Sequence, residues 1–393
     1  MKLIPKILIL FIIVVVVASC ALDKDSSGND LEFIVTADWR HTATEKYRSS
    51  EYFMGALQAI EEIGKGSFMI SPGDFDPVAP SAELISEVLG EDYPWYPVIG
   101  NHDTTYVQTL RDLNKGGTSL PNIVRNGPPG SEETMYSFDY GNFHFVAVNE
   151  YYDGQSDTGV DGEIVPETYD WLEQDLAASS EKHIFVFGHE PLVSIPDMDN
   201  GRHRHIDDSL NEHPRNAFGF YQLMMKYDVV AYICGHTHST SYANINGLWQ
   251  IDAGHSRGTE DVYPEMVFSK INEYRISNKE MEYALDSAFT QYYRSDAYAI
   301  KKVMFYMDLT DGVSYKKLND SIGYEIMRNF YFKAEELGES RVDYFQTYWG
   351  NWSITKSTFM KFRAAGNQVN IDIYRNDGFG GPYSIYQTII LEI

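Results

Sequence analysis

Five short polar signatures along this chain each follow an apolar run directly. The runs have the length and composition of buried strands, and amphipathic stretches with a helical period lie between several of them. Strands that alternate with helices predict an α/β fold in which helices cover a largely parallel sheet. In chain order, the signatures are Asp38-Trp39-Arg40, Gly73-Asp74, Gly100-Asn101-His102-Asp103, Gly188-His189-Glu190 and Gly235-His236-Thr237-His238.

The position of the signatures at the predicted strand ends indicates a shared site. In an open α/β sheet, ligands bind beyond the carboxyl ends of the strands, so residues from distant signatures are expected to converge there. Their carboxylate, amide and imidazole groups suit manganese, iron or zinc. One or two such ions would generate a hydroxide from bound water and hold the oxygens of a phosphate ester during its hydrolysis.

The apolar periodicity also predicts individual elements. Val369, Ile371 and Ile373 alternate on one face after Gly366-Asn367, which is a turn signal for a β-hairpin. Cys234 ends an apolar run and is expected to be a buried strand residue. Helices are predicted over Ser50–Ile63, Thr168–Ser179 and Gly323–Leu337, and a last strand over Thr388–Ile393.

The order of the signatures resembles the calcineurin-like metallophosphoesterase family. The stretch Tyr136–Phe145 is similar to the hairpin that follows the Asn-His motif in that family. The resemblance covers about 32–254 and extends to the last strands, 369–393. It implies a four-layer αββα sandwich, in which two packed mixed sheets are flanked by helices, with an aromatic-rich C-terminal insertion. The implied organisation is a core over 31–259, an insertion or appended subdomain over 260–353, and strands over 354–393 that return to the core.

The same resemblance implies a role for each matching residue. The carboxylate of Asp74 would bridge two metal ions. His102 would protonate the leaving oxygen or stabilise charge on the phosphoryl group, and Asp103 would orient its imidazole. The remaining implied ligands are Asp38 and His238 for the first metal, and Asn101, His189 and His236 for the second.

One position departs from the family pattern, which has Asp-x-His in the first signature. Here Arg40 replaces the histidine that binds the first metal, and His41 follows one residue later. Three interpretations stay open. His41 reaches the metal from a shifted loop, Arg40 faces the phosphate as a catalytic residue, or the first site is weakened so that only one ion binds tightly.

Other polar residues near the signatures have weaker claims to function. Asp76 is either an auxiliary ligand or a turn residue before Pro77. His255 follows a strand and is a candidate for the pocket lining. His144 and His183 flank strands and are expected to be structural. The loop between the two late histidine signatures, which includes His213, either contacts substrate or is a solvated surface. Its candidates for a substrate role are His203, His205 and Arg215.

The N-terminus predicts a location outside the cytoplasm. Lys2 and Lys6 precede a short apolar run, and Val17-Ala18-Ser19-Cys20 resembles a bacterial lipobox, which implies cleavage before Cys20 and acylation of its thiol. Residues 1–20 are thus expected to be a lipoprotein signal peptide and 21–30 a flexible tether. An ordinary secretory signal and an uncleaved anchor are the alternatives. The prediction places the protein in the cell envelope, facing the periplasm or the exterior.

The net charge of -26 argues against binding to nucleic acid, because such a field repels phosphate. A phosphate ester site in this chain needs local positive charge, which bound metal ions would supply. The sequence therefore favours a metal-dependent hydrolase of phosphate mono- or diesters. The alternative is a non-catalytic surface protein that keeps the scaffold and uses the aromatic segment to bind a glycan or a protein.

Overall fold

The described part of the chain comes from a computed structural model. It comprises residues 30–40, 49–179, 182–195, 197–198, 205, 209–257, 260–261, 354–376 and 382–393. The predictions for the signal peptide, Cys20, His41, His203 and 262–353 lie outside these residues. Within the described ranges, none of the helices combines the length and the apolar character that crossing a membrane requires.

Strands and helices alternate over residues 31–113 and again over 143–234, and the other strands follow each other directly. The strands are β1 (Leu31–Val35), β2 (Met69–Pro72), β3 (Trp95–Val98), β4 (Ile123–Asn126), β5 (Tyr136–Tyr140), β6 (Phe143–Ala147), β7 (His183–Phe187), β8 (Ala231–Cys234), β9 (Thr240–Ile245), β10 (Leu248–Ala253), β11 (Glu260–Asp261), β12 (Ile354–Thr355), β13 (Thr358–Ala365), β14 (Gln368–Arg375) and β15 (Ser384–Glu392). The α-helices are α1 (Ser49–Ile63), α2 (Val78–Leu89), α3 (Val107–Leu113), α4 (Pro166–Ala178) and α5 (Pro214–Lys226). Short 3-10 turns span Thr104–Tyr106, Lys115–Gly117 and Leu210–Glu212.

Two mixed sheets form the centre of the fold. The first has the order β15-β14-β13-β1-β2-β3, and the second has the order β4-β5-β6-β7-β8-β10-β9. The neighbours β1, β2 and β3 run parallel, as do β6, β7, β8 and β10. The signatures therefore leave their strands at the carboxyl edge of each parallel block. Periodicity alone predicted one largely parallel sheet; the structure instead splits the strands between two sheets with antiparallel margins.

The helices cover the outer faces of the two sheets. Helices α1 and α2 pack on the first sheet, where Phe53 and Leu57 join a buried cluster with Ile34. Helices α4 and α5 pack on the second sheet in a separate buried cluster. Between the sheets, Phe33 stacks on Phe362 at 4.6 Å and meets the edge of Phe145 from the other sheet at 5.1 Å. These layers confirm the predicted four-layer αββα sandwich.

The C-terminal strands return to the first sheet as an antiparallel hairpin beside β1. The turn is Gly366-Asn367, because Ala365 pairs with Gln368, and Gly366 has a φ of 61°. Such a φ favours glycine, which lacks the clash of a Cβ atom. Phe362 of β13 pairs with Phe33 of β1. The predicted hairpin is confirmed, and β15 begins four residues before the predicted start of the last strand.

The sequence interpretation missed helices α2, α3 and α5. Pro80 lies in the first turn of α2, and the aromatic run Phe218-Gly219-Phe220-Tyr221 lies inside α5. Proline, glycine and aromatic residues have low helix propensity, so their sequence signal is weak. These two helices form because each buries an apolar face against the core.

Candidate metal centre

The strand-end loops bring the five signatures to one place. The amide of Asp38 donates to the carbonyl of Gly73 at 3.1 Å, which joins the loop after β1 to the loop after β2. The amide of Gly235 donates to the carbonyl of His189 at 2.9 Å, which joins the loops after β8 and β7. Both oxygens of Asp38 accept from the amide of His236, at 3.1 and 3.0 Å. The last contact links the two sheets across 198 positions of sequence.

Four of the six predicted ligands have left-handed backbone conformations. Their φ angles are 53° at Asp38, 60° at Asp74, 67° at His236 and 55° at His238. A non-glycine residue in this region costs about 1–3 kcal/mol, and such residues cluster where function requires a defined side-chain direction. The strain at four ligands therefore indicates that the loops are shaped to aim these side chains inward.

Two glycines let the second signature loop approach its neighbours. A Cβ atom at Gly73 would collide with the ring of His189, and a Cβ at Gly100 would collide with the carboxylate of Asp74. Gly73 also has a φ of +83°, which L side chains rarely adopt. The glycines that precede Asp74 and Asn101 are thus required for the close packing of the ligands.

The second predicted metal position is built around His189. Its Nδ1 lies 2.8 Å from the carbonyl oxygen of Pro72, which can only accept, so Nδ1 carries the ring proton. Burial lowers the pKa of His189, so the ring is neutral and Nε2 presents a lone pair. That nitrogen lies 3.2 Å from Oδ1 of Asn101, 3.2 Å from Nδ1 of His236 and 3.6 Å from Oδ1 of Asp74.

These distances fit a metal ion. Atoms bound at about 2.1 Å to one ion lie roughly 3.0–3.4 Å apart in tetrahedral or octahedral geometry. The lone pair of His189 and the oxygens of Asn101 and Asp74 repel each other, and a cation between them removes that repulsion. The donor set, two imidazoles with an amide and a carboxylate oxygen, suits manganese, iron or zinc. The residues present therefore fit the group that the sequence predicted.

The first predicted position has the right proximity but a different hydrogen-bond pattern. One ligand atom from each of Asp38, Asp74 and His238 lies within 4.8 Å of the others, and all three residues are buried. Nε2 of His238 lies 3.5 Å from Oδ1 of Asp38. Nδ1 of His238 lies 3.0 Å from Nη2 of Arg257, a buried arginine that follows β10.

Electrostatics at the first position is dominated by buried carboxylates. Burial raises the pKa of Asp38 well above its ordinary value, and repulsion from Asp74 and Asp252 adds to this effect. The guanidinium of Arg257 acts in the opposite direction. A bound cation would likewise favour the ionised carboxylates.

His102 lies at the edge of the centre. Its side chain is 41% exposed, and its Nε2 lies 3.9 Å from Oδ2 of Asp74. Its backbone amide donates to Oδ1 of Asp74 at 3.0 Å. The imidazole thus faces both the carboxylate of Asp74 and solvent.

Asp103 has a different role from the predicted one. Its carboxylate accepts from three backbone amides, those of Asp74 at 2.7 Å, Gly100 at 3.0 Å and Phe75 at 3.1 Å. The expectation that Asp103 orients His102 is therefore wrong, because both oxygens point to the loop that carries Asp74. Burial raises the pKa of Asp103, and the charge of Asp74 adds to the effect. Asp103 thus holds the backbone of Asp74 and Phe75 in place.

Arg40 forms an ion pair at the rim of the centre. Its Nε lies 3.0 Å from Oδ1 of Asp76, and the side chains are 25% and 7% exposed. Its amide donates to the carbonyl of Asp74 at 3.1 Å. Asp76 lies in the bend before Pro77, as the turn prediction has it, and its carboxylate also pairs with Arg40. The prediction that Arg40 contacts phosphate stays open.

The remaining histidines separate into two groups. The ring of His205 lies 4.0 Å from that of His236, and the ring of His255 lies 6.1 Å from that of His238, so both border the centre. His213 is half-buried at the start of α5, where Arg215 is exposed. His144 bonds Asp139 at 2.7 Å and Asp175 at 2.8 Å, as a structural histidine would. His183 is half-buried and packs on Phe143.

The sequence interpretation missed Glu150. This buried carboxylate accepts from the amides of His189 at 2.9 Å and Glu190 at 2.6 Å, and Tyr232 donates to its other oxygen. Burial raises the pKa of Glu150 to about 8. Glu150 follows β6 at the same sheet edge as the signatures. This position after a buried strand is the sequence signal that could have identified it. It fixes the loop that presents His189.

Comparison with known proteins identifies a family and several similar chains. The family model for calcineurin-like phosphoesterases matches residues 31–240. The tartrate-resistant acid phosphatase type 5 of Rattus norvegicus is 24% identical over 254 residues, which is 58% of this chain and 72% of that protein. The human enzyme of the same name is 23% identical over 257 residues, 58% of this chain and 74% of that protein. A solved structure of PhoD covers 93% of this chain and 70% of its own length, with 9% identity and a TM-score of 0.48.

The chain belongs to the calcineurin-like phosphoesterase family, since the family model spans more than half of it. It is a metallophosphoesterase, a hydrolase that acts on phosphoric ester bonds. The Asp38, Asp74 and His238 group provides a place where a metal can bind.

Proposed function

We propose that this protein hydrolyses a phosphate mono- or diester outside the cytoplasm, with its tight metal held by Asp74, Asn101, His189 and His236. The observation that carries the proposal is the convergence of three potential ligand atoms, from Asn101, His236 and Asp74, at 3.2–3.6 Å around Nε2 of His189. When bound, the metal supplies a hydroxide nucleophile from water and neutralises charge on the phosphoryl oxygens. Asp38 and His238, together with Asp74, form the adjoining first position.

His102 is the residue that we assign to proton transfer. Its imidazole is partly exposed and lies 3.9 Å from the bridging carboxylate, so it can reach a substrate bound at the centre. An imidazole placed beside the leaving oxygen of a substrate can donate a proton to it. Asp103 and Glu150 have positioning roles, because they fix the backbone loops that carry Asp74 and His189.

The charge of the protein explains why bound metal is essential to this proposal. A net charge of -26 repels an anionic ester. The buried carboxylates Asp38 and Asp74 add to that repulsion at the site itself. Metal ions reverse the local sign, and we propose that the guanidinium of Arg40 adds positive charge at the rim.

The test is an assay of the metal-loaded protein against a panel of phosphomonoesters and phosphodiesters. The names of the phosphatase relatives make monoesters the first class to try. We expect turnover with manganese or zinc and none after chelation. Protein that binds near-stoichiometric metal but cleaves no ester in the panel would favour the alternative, a non-catalytic surface binding protein.

We also propose that Cys20 carries a lipid and anchors the protein in the cell envelope, facing the periplasm or the exterior. The support is the lipobox-like end of the N-terminal apolar run. Labelling with a fatty acid analogue in a bacterial host should mark the wild-type protein. The Cys20→Ala variant should lose the label, and a label that persists in this variant would contradict the proposal.

A further inference from the structure

Arg257 contacts His238, a predicted ligand of the first metal position, at the ring nitrogen that does not face Asp38. It follows β10 and is 3% exposed, and its Nη2 lies 3.0 Å from Nδ1 of His238. The loop that carries it is fixed, because the amide of Ser256 donates to the carbonyl of Ala37 at 2.8 Å. That carbonyl belongs to the residue before Asp38, so the backbone next to Arg257 is hydrogen-bonded to the backbone next to Asp38.

The chemistry of the two groups determines where the proton of His238 lies. A guanidinium has only donors, so Nδ1 of His238 must accept and must carry a lone pair. The proton of the neutral ring then lies on Nε2, the nitrogen that is 3.5 Å from Oδ1 of Asp38. A metal ligand needs a lone pair at that nitrogen. In this hydrogen-bond pattern, Nε2 presents a proton to Asp38 instead.

His189 has the opposite arrangement. Its Nδ1 faces the carbonyl oxygen of Pro72 at 2.8 Å, so the proton lies on Nδ1 and Nε2 presents a lone pair. Hydrogen bonds behind a histidine select its tautomer and thus its ability to bind metal. His189 therefore presents a lone pair that can bind a metal, whereas His238 presents an N–H that can donate a hydrogen bond.

We propose that Arg257 holds His238 in the non-ligating tautomer and thereby makes the first position a weak metal site next to a tight second one. Metal binding through Nε2 of His238 requires the ring proton to move to Nδ1. Nδ1–H of His238 and the guanidinium N–H of Arg257 would then be two donors that face each other. Arg257 must therefore leave His238, and its burial leaves little space for that movement. The inference rests on the proposed function, since it concerns the same centre.

Two substitutions of Arg257 separate donor chemistry from simple loss of the side chain. In Arg257→Gln, the amide oxygen can accept from Nδ1–H, which permits the ligating tautomer. In the matched control Arg257→Lys, the ammonium group can only donate, so the wild-type tautomer is kept. We expect the glutamine variant to bind manganese at the first position about 10–100-fold more tightly than wild type does. The lysine variant should change this affinity by less than about threefold.

The measurements are metal content after dialysis against limiting manganese, and electron paramagnetic resonance of the bound ions. Wild type should retain about one ion per chain, and the glutamine variant about two with the spectrum of a coupled pair. Two equally tight ions in wild type, or no difference between the variants, would overturn the inference. A protein that binds no metal would instead contradict the proposed function, so the two failures are distinguishable.

Nitrogen NMR of metal-free wild type tests the tautomers without any change at Arg257. Long-range spectra of ring nitrogens distinguish protonated from unprotonated positions, and His189→Gln and His238→Gln assign the signals. We expect Nδ1–H in His189 and Nε2–H in His238. A spectrum with Nδ1–H in His238 would refute the proposal even if both Arg257 variants failed to fold.

Discussion

The two metal positions share the carboxylate of Asp74 but differ in the hydrogen bonds behind their histidines. At the second position, a backbone carbonyl accepts from His189 and leaves Nε2 ready to bind. At the first, the guanidinium of Arg257 donates to His238. Residue types alone suggest two similar sites, because each offers carboxylate and imidazole. Under the proposal for Arg257, the polarity of the group behind each histidine decides which of the two positions binds metal tightly.

The shared residue gives the largest expected effect. Asp74→Ala should remove most metal from both positions and lower kcat/KM by about 10⁴-fold, because the bridging oxygen and the anchor for His102 disappear together. Metal analysis and steady-state kinetics measure the two losses. The exposed Asp112→Asn is a matched control and should behave like wild type. Retention of full metal content in Asp74→Ala would show that the bridge is assigned wrongly.

A direct comparison of the two histidines comes next. His189→Ala should lose the tight ion and about 10³-fold in kcat/KM, since it removes a ligand with a lone pair already in place. His238→Ala should cost only about tenfold, because its Nε2 is not prepared to bind. Both variants are assayed at the same free manganese concentration. Equal losses in the two variants would remove the distinction between the positions.

His102 tests chemistry apart from metal binding. His102→Ala should lower kcat by about 100-fold, a typical contribution for general acid catalysis. Metal content should stay near that of wild type, because His102 contacts Asp74 at 3.9 Å and is not a ligand of either position. His102→Gln, which retains a hydrogen-bond donor, should recover part of the activity toward esters with good leaving groups. Loss of metal from His102→Ala would contradict this separation of roles.

Much of this centre could be predicted from the sequence because its residues are local signals. Asp74 and His189 each follow a glycine after a buried strand, and strands that end at one edge bring such residues together. The hairpin at Gly366-Asn367 was equally accessible, since Val369, Ile371 and Ile373 alternate and are fully buried. Period and turn chemistry determine these features within a few residues.

The residues that the sequence did not reveal act through pairs formed by the fold. Tyr232 and Glu150 are 82 positions apart, and no pattern in either segment specifies that they meet. Arg257 lies 19 positions after His238 and carries no signature. The prediction for Asp103 failed for a related reason. Its adjacency to His102 in the sequence suggested a contact, but the turn directs the Asp103 carboxylate to backbone amides instead. The direction of a side chain and its hydrogen-bond partner are determined by the folded chain.

The smallest expected effect comes from Arg40→His, which restores the histidine that the family has at this position. The added imidazole should raise first-position affinity by less than about tenfold, because Arg257 still holds His238 in the non-ligating tautomer. Folding should change by about 1 kcal/mol or less, since the Arg40–Asp76 pair is partly exposed.

The double variant Arg40→His with Arg257→Gln sharpens the comparison further. Two ligands then become available together, so the gain in first-position affinity should exceed the sum of the single gains in free energy. Metal titration of the wild type, both single variants and the double variant gives this coupling. Simple additivity would mean that Arg40 and Arg257 weaken the first position independently, whereas coupling would mean that a tight two-metal centre requires both changes at once.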